Sequence, residues 1–214
     1  ILFNLGGPNS PKAIQPFLKN LFSDPAIIGL PSLFRLPLAN FISRRRTSVA
    51  QEIYAHLGGK SPLLDLTLEQ ASALEDVLRK EYAGDEVSVY VCMRYWHPMT
   101  SEVMDDVISC DPDQILLLPL YPQFSTATTQ SSLLEWEKTA KKKCLKTPTF
   151  SICCYATLAK LADAQADILN GVLDRVPDKE KTRVLFSAHG LPEKIVKRGD
   201  PYQWQVEQSA RLIA

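Results

Sequence analysis

No Cys-x-x-Cys pair occurs in these 214 residues, although there are five cysteines: Cys92, Cys110, Cys144, Cys153 and Cys154. The number is odd and the spacing irregular. That argues against a disulfide framework or a zinc site, and for free thiols in a reducing compartment. Cys153 and Cys154 are adjacent, which is poor geometry for pairing or for chelating one metal. No Gly-x-Gly-x-x-Gly occurs, so the dinucleotide fingerprint is absent. Neither sign of charge dominates, since 24 Lys and Arg balance 24 Asp and Glu; this argues against a general nucleic-acid binder. No run approaches the roughly 18 apolar residues of a membrane-spanning helix, and no secretory signal is visible. No methionine opens the chain. Ile1 already reads as strand, so the natural start is expected upstream.

What is present suits a folded α/β chain. Hydrophobic residues make up 45% and charged residues 22%, enough for a core in one large or two modest domains. Strand-like runs are read at 1–5, 87–92, 114–121, 149–154 and 184–186. Helical patterns are read at 11–21, from Arg44 to about Leu57, at 66–82, at 102–108 with Ser101 as cap, at 133–144, at 158–176 and from about Tyr202 to Ala214. Strand and helix alternate about five times, which predicts a parallel sheet. Lys146-Thr147-Pro148 is the candidate linker, giving domains 1–147 and 148–214.

In such sheets ligands bind at the carboxyl ends of the strands, so the residues just past each strand are the candidates. Val184-Leu185-Phe186 reads as a buried parallel strand and opens into Ser187-Ala188-His189-Gly190. Small neighbours leave His189 room to reach into a crevice. Imidazole there can take a proton near neutral pH or bind a divalent metal. It can equally be a core histidine whose nitrogens are satisfied by backbone. After the first strand, Gly6-Gly7-Pro8 permits a tight turn and close backbone approach. Met93 to Pro98 is a second loop of this kind. From 122 to 132, six of eleven residues are Ser or Thr. Such a turn can bind an anion at a helix start or simply cap the helix.

The stretch 27–42 is strongly apolar but carries Pro31 and Pro37, so one long helix is not expected. It is either a loop and helix folded on the core, the commoner fate of apolar residues, or an exposed apolar lip. Arg44-Arg45-Arg46 follows. Beside such a lip, arginines suit a ligand with an apolar body and carboxylates.

Taken together, the loops resemble one family. Leu5-Gly6-Gly7-Pro8, Arg45-Arg46-Thr47, Gly58-Gly59-Lys60-Ser61-Pro62, Arg94-Tyr95-Trp96-His97-Pro98, Tyr121-Pro122-Gln123-Phe124-Ser125 with Thr128 to Ser132, Ser187 to Pro192 and Arg198-Gly199-Asp200-Pro201-Tyr202 occur in order. The chain resembles the ferrochelatases, lyases that insert Fe²⁺ into a porphyrin during haem biosynthesis. The resemblance implies two Rossmann-like parallel-sheet halves flanked by helices, with a porphyrin cleft between them and the second half incomplete here. It implies that His189 is the catalytic histidine, by metal delivery or by taking pyrrole protons. It implies that Arg46, Tyr54 and Ser61 line the porphyrin's carboxylate end. Arg94 and Tyr95 would face the macrocycle, Leu5 its apolar rim, and 27–42 would be the pocket lip.

Protoporphyrin IX is the implied substrate, with Fe²⁺ as co-substrate. The implied location is the cytoplasm, with peripheral contact to the inner membrane left open. Thr126 stands where the animal enzymes carry an iron–sulfur cysteine, so no cluster of the animal type is expected. The family's second key residue, a glutamate, comes from a later segment, and Ala214 precedes it; the chain is therefore read as C-terminally truncated. Two alternatives remain at this stage: a porphyrin-binding module, or a chelatase for another metal or tetrapyrrole.

Overall fold

A computed structural model describes residues 1–214. The chain divides into two compact units. The first comprises Ile1–Leu120 with Ala127–Ile152, and the second Tyr121–Thr126 with Cys153–Ala214.

The first unit is α/β. Four strands, β1 (Leu2–Asn4), β2 (Val91–Met93), β3 (Ile115–Pro119) and β4 (Thr149–Ser151), form one sheet in the order β2-β1-β3-β4. Every pairing is parallel, as the alternation of elements predicted, with Leu2 beside Val91 and Leu118, and Ile115 beside Thr149. Side chains alternate across a strand, and the core follows that alternation. Leu2, Val91 and Met93 pack on one face with Ala71, Leu64 and Leu74 of α3 (Leu63–Glu81). Phe3 points the other way and meets Trp136 of α5 (Thr129–Lys142) edge-on, ring centres 5.9 Å apart. Cys92 faces Thr100 of α4 (Thr100–Cys110). Helices thus cover both faces.

Helix α4 starts at Thr100 without help from Ser101. The carboxylate of Glu102 reaches back instead to accept the Met99 N–H at 2.6 Å, so a first-turn acid takes the place of the expected cap.

Helix α1 (Ile14–Phe22) buries Ile14, Phe17 and Leu18. Helix α2 (Ser32–Ala55) packs along it and corrects the sequence reading, because it is one helix of 24 residues running through Pro37. Pro31 stands just outside its first turn, where the fixed φ helps a helix begin. Pro37 lies in the second turn. The N–H it lacks would have met the carbonyl of Leu33, a residue 77% exposed, so water can take that carbonyl. A single hydrated vacancy near a helix end is far cheaper than one in a buried interior. Helix α2 meets α1 through a narrow stripe, Ala39, Ser43, Ala50 and Tyr54. Gln15 donates to the Ser43 hydroxyl at 3.2 Å. The rest of the helix leaves Leu33, Phe34, Leu36, Phe41, Val49 and Ile53 exposed. The apolar stretch is therefore an outward lip, not core.

The second unit contains α6 (Ala159–Leu173), α7 (Glu193–Val196) and α8 (Tyr202–Ile213), with α6 packed on α8. Asp200, just before α8, is buried and ties down the 121–126 loop through Ser125 and Thr126. The expected strand at Val184–Phe186 is not formed; Leu185 is 82% exposed. A parallel strand needs a neighbouring backbone to satisfy its N–H and C=O groups. This unit offers none, and an apolar run cannot supply them alone.

Candidate functional site

The turns that follow β1 and β2 are sewn together. Backbone N–H groups of Arg94 and Tyr95 donate to the carbonyls of Asn4 and Leu5, both at 2.9 Å. The Asn4 side chain accepts the Leu5 N–H at 2.9 Å and donates to Thr67 at 3.0 Å. Gly6 adopts φ +82°, the left-handed region that favours glycine. Gly7 is glycine for a different reason: a Cβ there would land on the side chain of Ser61. The Ser61 N–H donates to the carbonyl of Pro8 at 2.8 Å, drawing the 58–62 turn onto the Gly-Gly-Pro turn.

Around this junction Tyr95 is 1% exposed and packs with Ile14, Phe17 and Leu18; Leu5, Phe22, Tyr54 and Trp96 border the same cluster. Burial pushes the Tyr54 and Tyr95 phenols above their ordinary range, and at Tyr95 the facing Asp24 carboxylate pushes further. Both therefore remain neutral hydrogen-bonding groups at physiological pH. The Arg46 guanidinium sits 5.5 Å from the ring centre of Phe22, while Arg45 covers Phe41 at the same distance. Arg94 lies 5.0 Å from the Tyr95 ring centre.

Five residues singled out in the sequence, Leu5, Tyr54, Ser61, Arg94 and Tyr95, thus meet in the first unit around the turns at the carboxyl ends of β1 and β2. Arg46, the sixth, lies over Phe22 at the border of the same cluster. Such strand ends are where ligands bind in parallel α/β sheets. A cavity of about 570 Å³ opens at the other end of the strands, between Leu74, Tyr90 and Val107, and touches none of the six. His189 belongs to the second unit and is exposed.

The whole chain, residues 1–214, matches the family model described as Ferrochelatase. It is 47% identical over 213 residues to the ferrochelatase of Pelagibacter ubique and 50% identical over 214 residues to that of Caulobacter vibrioides. Each alignment covers 100% of this chain and 61% of the relative. The ferrochelatase of a Wolbachia from Drosophila simulans is 49% identical over 213 residues, with 67% of its length covered. The chain belongs to the ferrochelatase family.

Within this ferrochelatase-family chain, Asp24 is the residue of this junction that sequence reasoning missed. It is 4% exposed. Its Oδ2 accepts hydrogen bonds from Arg94 Nη2 at 2.7 Å, from the Tyr95 hydroxyl at 2.9 Å, and from the Ser131 hydroxyl. The local signal was faint: an acid before Pro25, bending the chain by accepting the Ala26 N–H at 2.8 Å on Oδ1. Its other partners lie 70, 71 and 107 residues away, beyond the reach of any periodicity.

Proposed function

We propose that this chain carries the porphyrin-binding and metal-inserting part of a ferrochelatase, with protoporphyrin IX and Fe²⁺ as substrates. The observation that carries the reading is the convergence of the motif residues Leu5, Ser61, Arg94 and Tyr95, with Tyr54 beside them, on one apolar junction at the carboxyl ends of β1 and β2. The reaction exchanges one metal dication for the two inner N–H protons of the porphyrin, so the products are the iron porphyrin and two protons. Arg46, Tyr54 and Ser61 would face the carboxylate end. Leu5 would form the apolar rim, and Arg94 and Tyr95 would face the macrocycle. His189, as a neutral imidazole, would accept a pyrrole proton or hold Fe²⁺ in transit. A tight apolar wall would favour a bent ring, closer to the geometry of metallation.

The reading extends to the chain's organisation and setting. It places two Rossmann-like halves at 1–147 and 148–214, in the cytoplasm, without an animal-type iron–sulfur cluster. No helix is long and apolar enough to cross a membrane; the exposed Leu33, Phe34 and Phe41 of α2 would serve as a porphyrin lip and a peripheral membrane contact. The chain spans 61% of the length of the first two relatives. The exposed setting of His189 favours a second reading, in which these 214 residues bind porphyrin without metallating it.

An anaerobic absorbance titration separates the two. Protoporphyrin is added to the full chain, then Fe²⁺ or Zn²⁺. Conversion to the metalloporphyrin faster than the protein-free control, lost in His189→Ala with binding retained, supports the enzyme. Binding without conversion supports the module. No binding refutes both.

A further inference from the structure

Asp24 does more than fill a buried corner. It stands between the end of α1 and the lip, and it is the only acid that touches Arg94 in an ion pair. Arg94 Nη2 goes to Asp24 Oδ2 at 2.7 Å, and Arg94 Nε goes to Ser131 Oγ at 2.8 Å. Nε and Nη2 form one edge of the guanidinium, the fork with which arginine grips a carboxylate side-on. Both teeth of that fork are already taken by this chain. The Arg94 side chain is only 14% exposed, and its charge is matched within hydrogen-bond distance by the Asp24 carboxylate. Arg46, by contrast, is exposed and has an aromatic ring, not an acid, beneath it.

We propose that Asp24 sets substrate specificity by neutralising Arg94 and, together with Ser131, occupying its carboxylate-binding fork, so that this wall meets the porphyrin as an uncharged surface and carboxylate recognition is left to Arg46. The inference rests on the porphyrin reading above. A wall without net charge accepts a porphyrin whose carboxylates are confined to one edge. It offers nothing to one that also carries carboxylates on the opposite edge. Freed from Asp24, Arg94 would become a carboxylate clamp.

The test compares mesoporphyrin, with two propionates, and coproporphyrin, with four, by fluorescence titration of the full chain. A thermal melt of each variant accompanies it. Asp24→Asn is expected to shift the affinity ratio toward coproporphyrin by roughly tenfold, the effect of one charge-assisted pair. Adding Arg94→Met is expected to restore the wild-type ratio. A merely structural role would weaken both porphyrins alike and leave the ratio still. An unchanged ratio in a folded Asp24→Asn protein overturns the inference, as does a shift that persists in the double variant. If Asp24→Asn fails to fold, Asp24→Ser, which also removes the charge facing Arg94 but keeps a hydroxyl for Arg94 and Tyr95, takes its place and is read against the same two outcomes. Wild-type protein that binds neither porphyrin overturns the porphyrin reading and this inference with it.

Discussion

Asp200 holds Thr126 twice, taking its backbone N–H at 2.8 Å and its hydroxyl at 2.7 Å on the same carboxylate oxygen, Oδ2. The Ser125 hydroxyl joins at 3.1 Å, and Oδ1 accepts the Tyr202 N–H at 3.0 Å. One carboxylate thus fixes the Tyr-Pro-Gln-Phe-Ser-Thr loop to the start of α8. Burial alone would raise its pKa, but four hydrogen bonds to the charged form outweigh that and hold it below the usual carboxylate range.

The sign of the pH dependence follows. A carboxylate whose folded pKa is depressed contributes stability that is complete above its unfolded pKa, about 3.9, and is lost as pH falls through the folded value. Asp200→Asn is expected to destabilise the chain by roughly 2–3 kcal/mol at pH 7, since buried donors lose a charged acceptor. Below about pH 4 the gap between variant and wild type should begin to narrow, closing as pH falls through the lower folded value. Urea titrations at pH 7, 5 and 3.5 check this; a gap that stays constant down to pH 3.5 would mean that the charge is not what holds the loop.

Gly7 and Ser61 make a second, steric prediction. A Cβ at Gly7 would fall on the Ser61 side chain, which the Ser61 N–H bond to Pro8 keeps in place. Gly7→Ala is expected to cost about 1–3 kcal/mol by overpacking. Ser61→Gly in the same chain should recover most of that, because it removes the atoms in the way. Denaturant midpoints of the two single variants and the double variant measure the coupling. Strict additivity would show that the clash relaxes without cost.

The strands that could be read from sequence were those with partners. Leu2 and Phe3, Val91 to Met93, and Ile115 to Pro119 are apolar runs that meet one another, so local pattern and sheet agree. The run 184–186 has an equal pattern but no neighbour, and it stays out of any strand. Periodicity reports what a segment prefers to bury and is silent about what lies beside it. The proline rule misled at α2 for a related reason. It assumes a buried carbonyl left empty, whereas the carbonyl below Pro37 belongs to the exposed Leu33. The junction of the candidate site was legible where its residues stand in short motifs just after strands, as Leu5, Arg94 and Tyr95 do. Asp24 was not, because its meaning lies in three partners that only the folded chain brings to it.

Cysteine reactivity gives the last prediction. Cys92 lies on β2, 0% exposed, and burial pushes its thiol up to about 11 despite a contact with the Thr100 hydroxyl at 3.5 Å. The nucleophile in alkylation is the thiolate. At pH 8 a thiol with a pKa near 11 is about 0.1% ionised, against roughly a fifth for an unperturbed cysteine, and burial denies the reagent access as well. Cys110, Cys144 and Cys153 are exposed. Iodoacetamide on the native chain at pH 8, followed by peptide mass spectrometry, is expected to label those three while sparing Cys92. Cys92 should label only under denaturant, in step with global unfolding, because β2 is held by β1 and covered by α3 and α4. Labelling of Cys92 well before the unfolding transition would show that this edge of the sheet opens on its own. The junction of Leu5, Arg94 and Tyr95, built on the ends of β1 and β2, would then be a breathing site, not a preformed one.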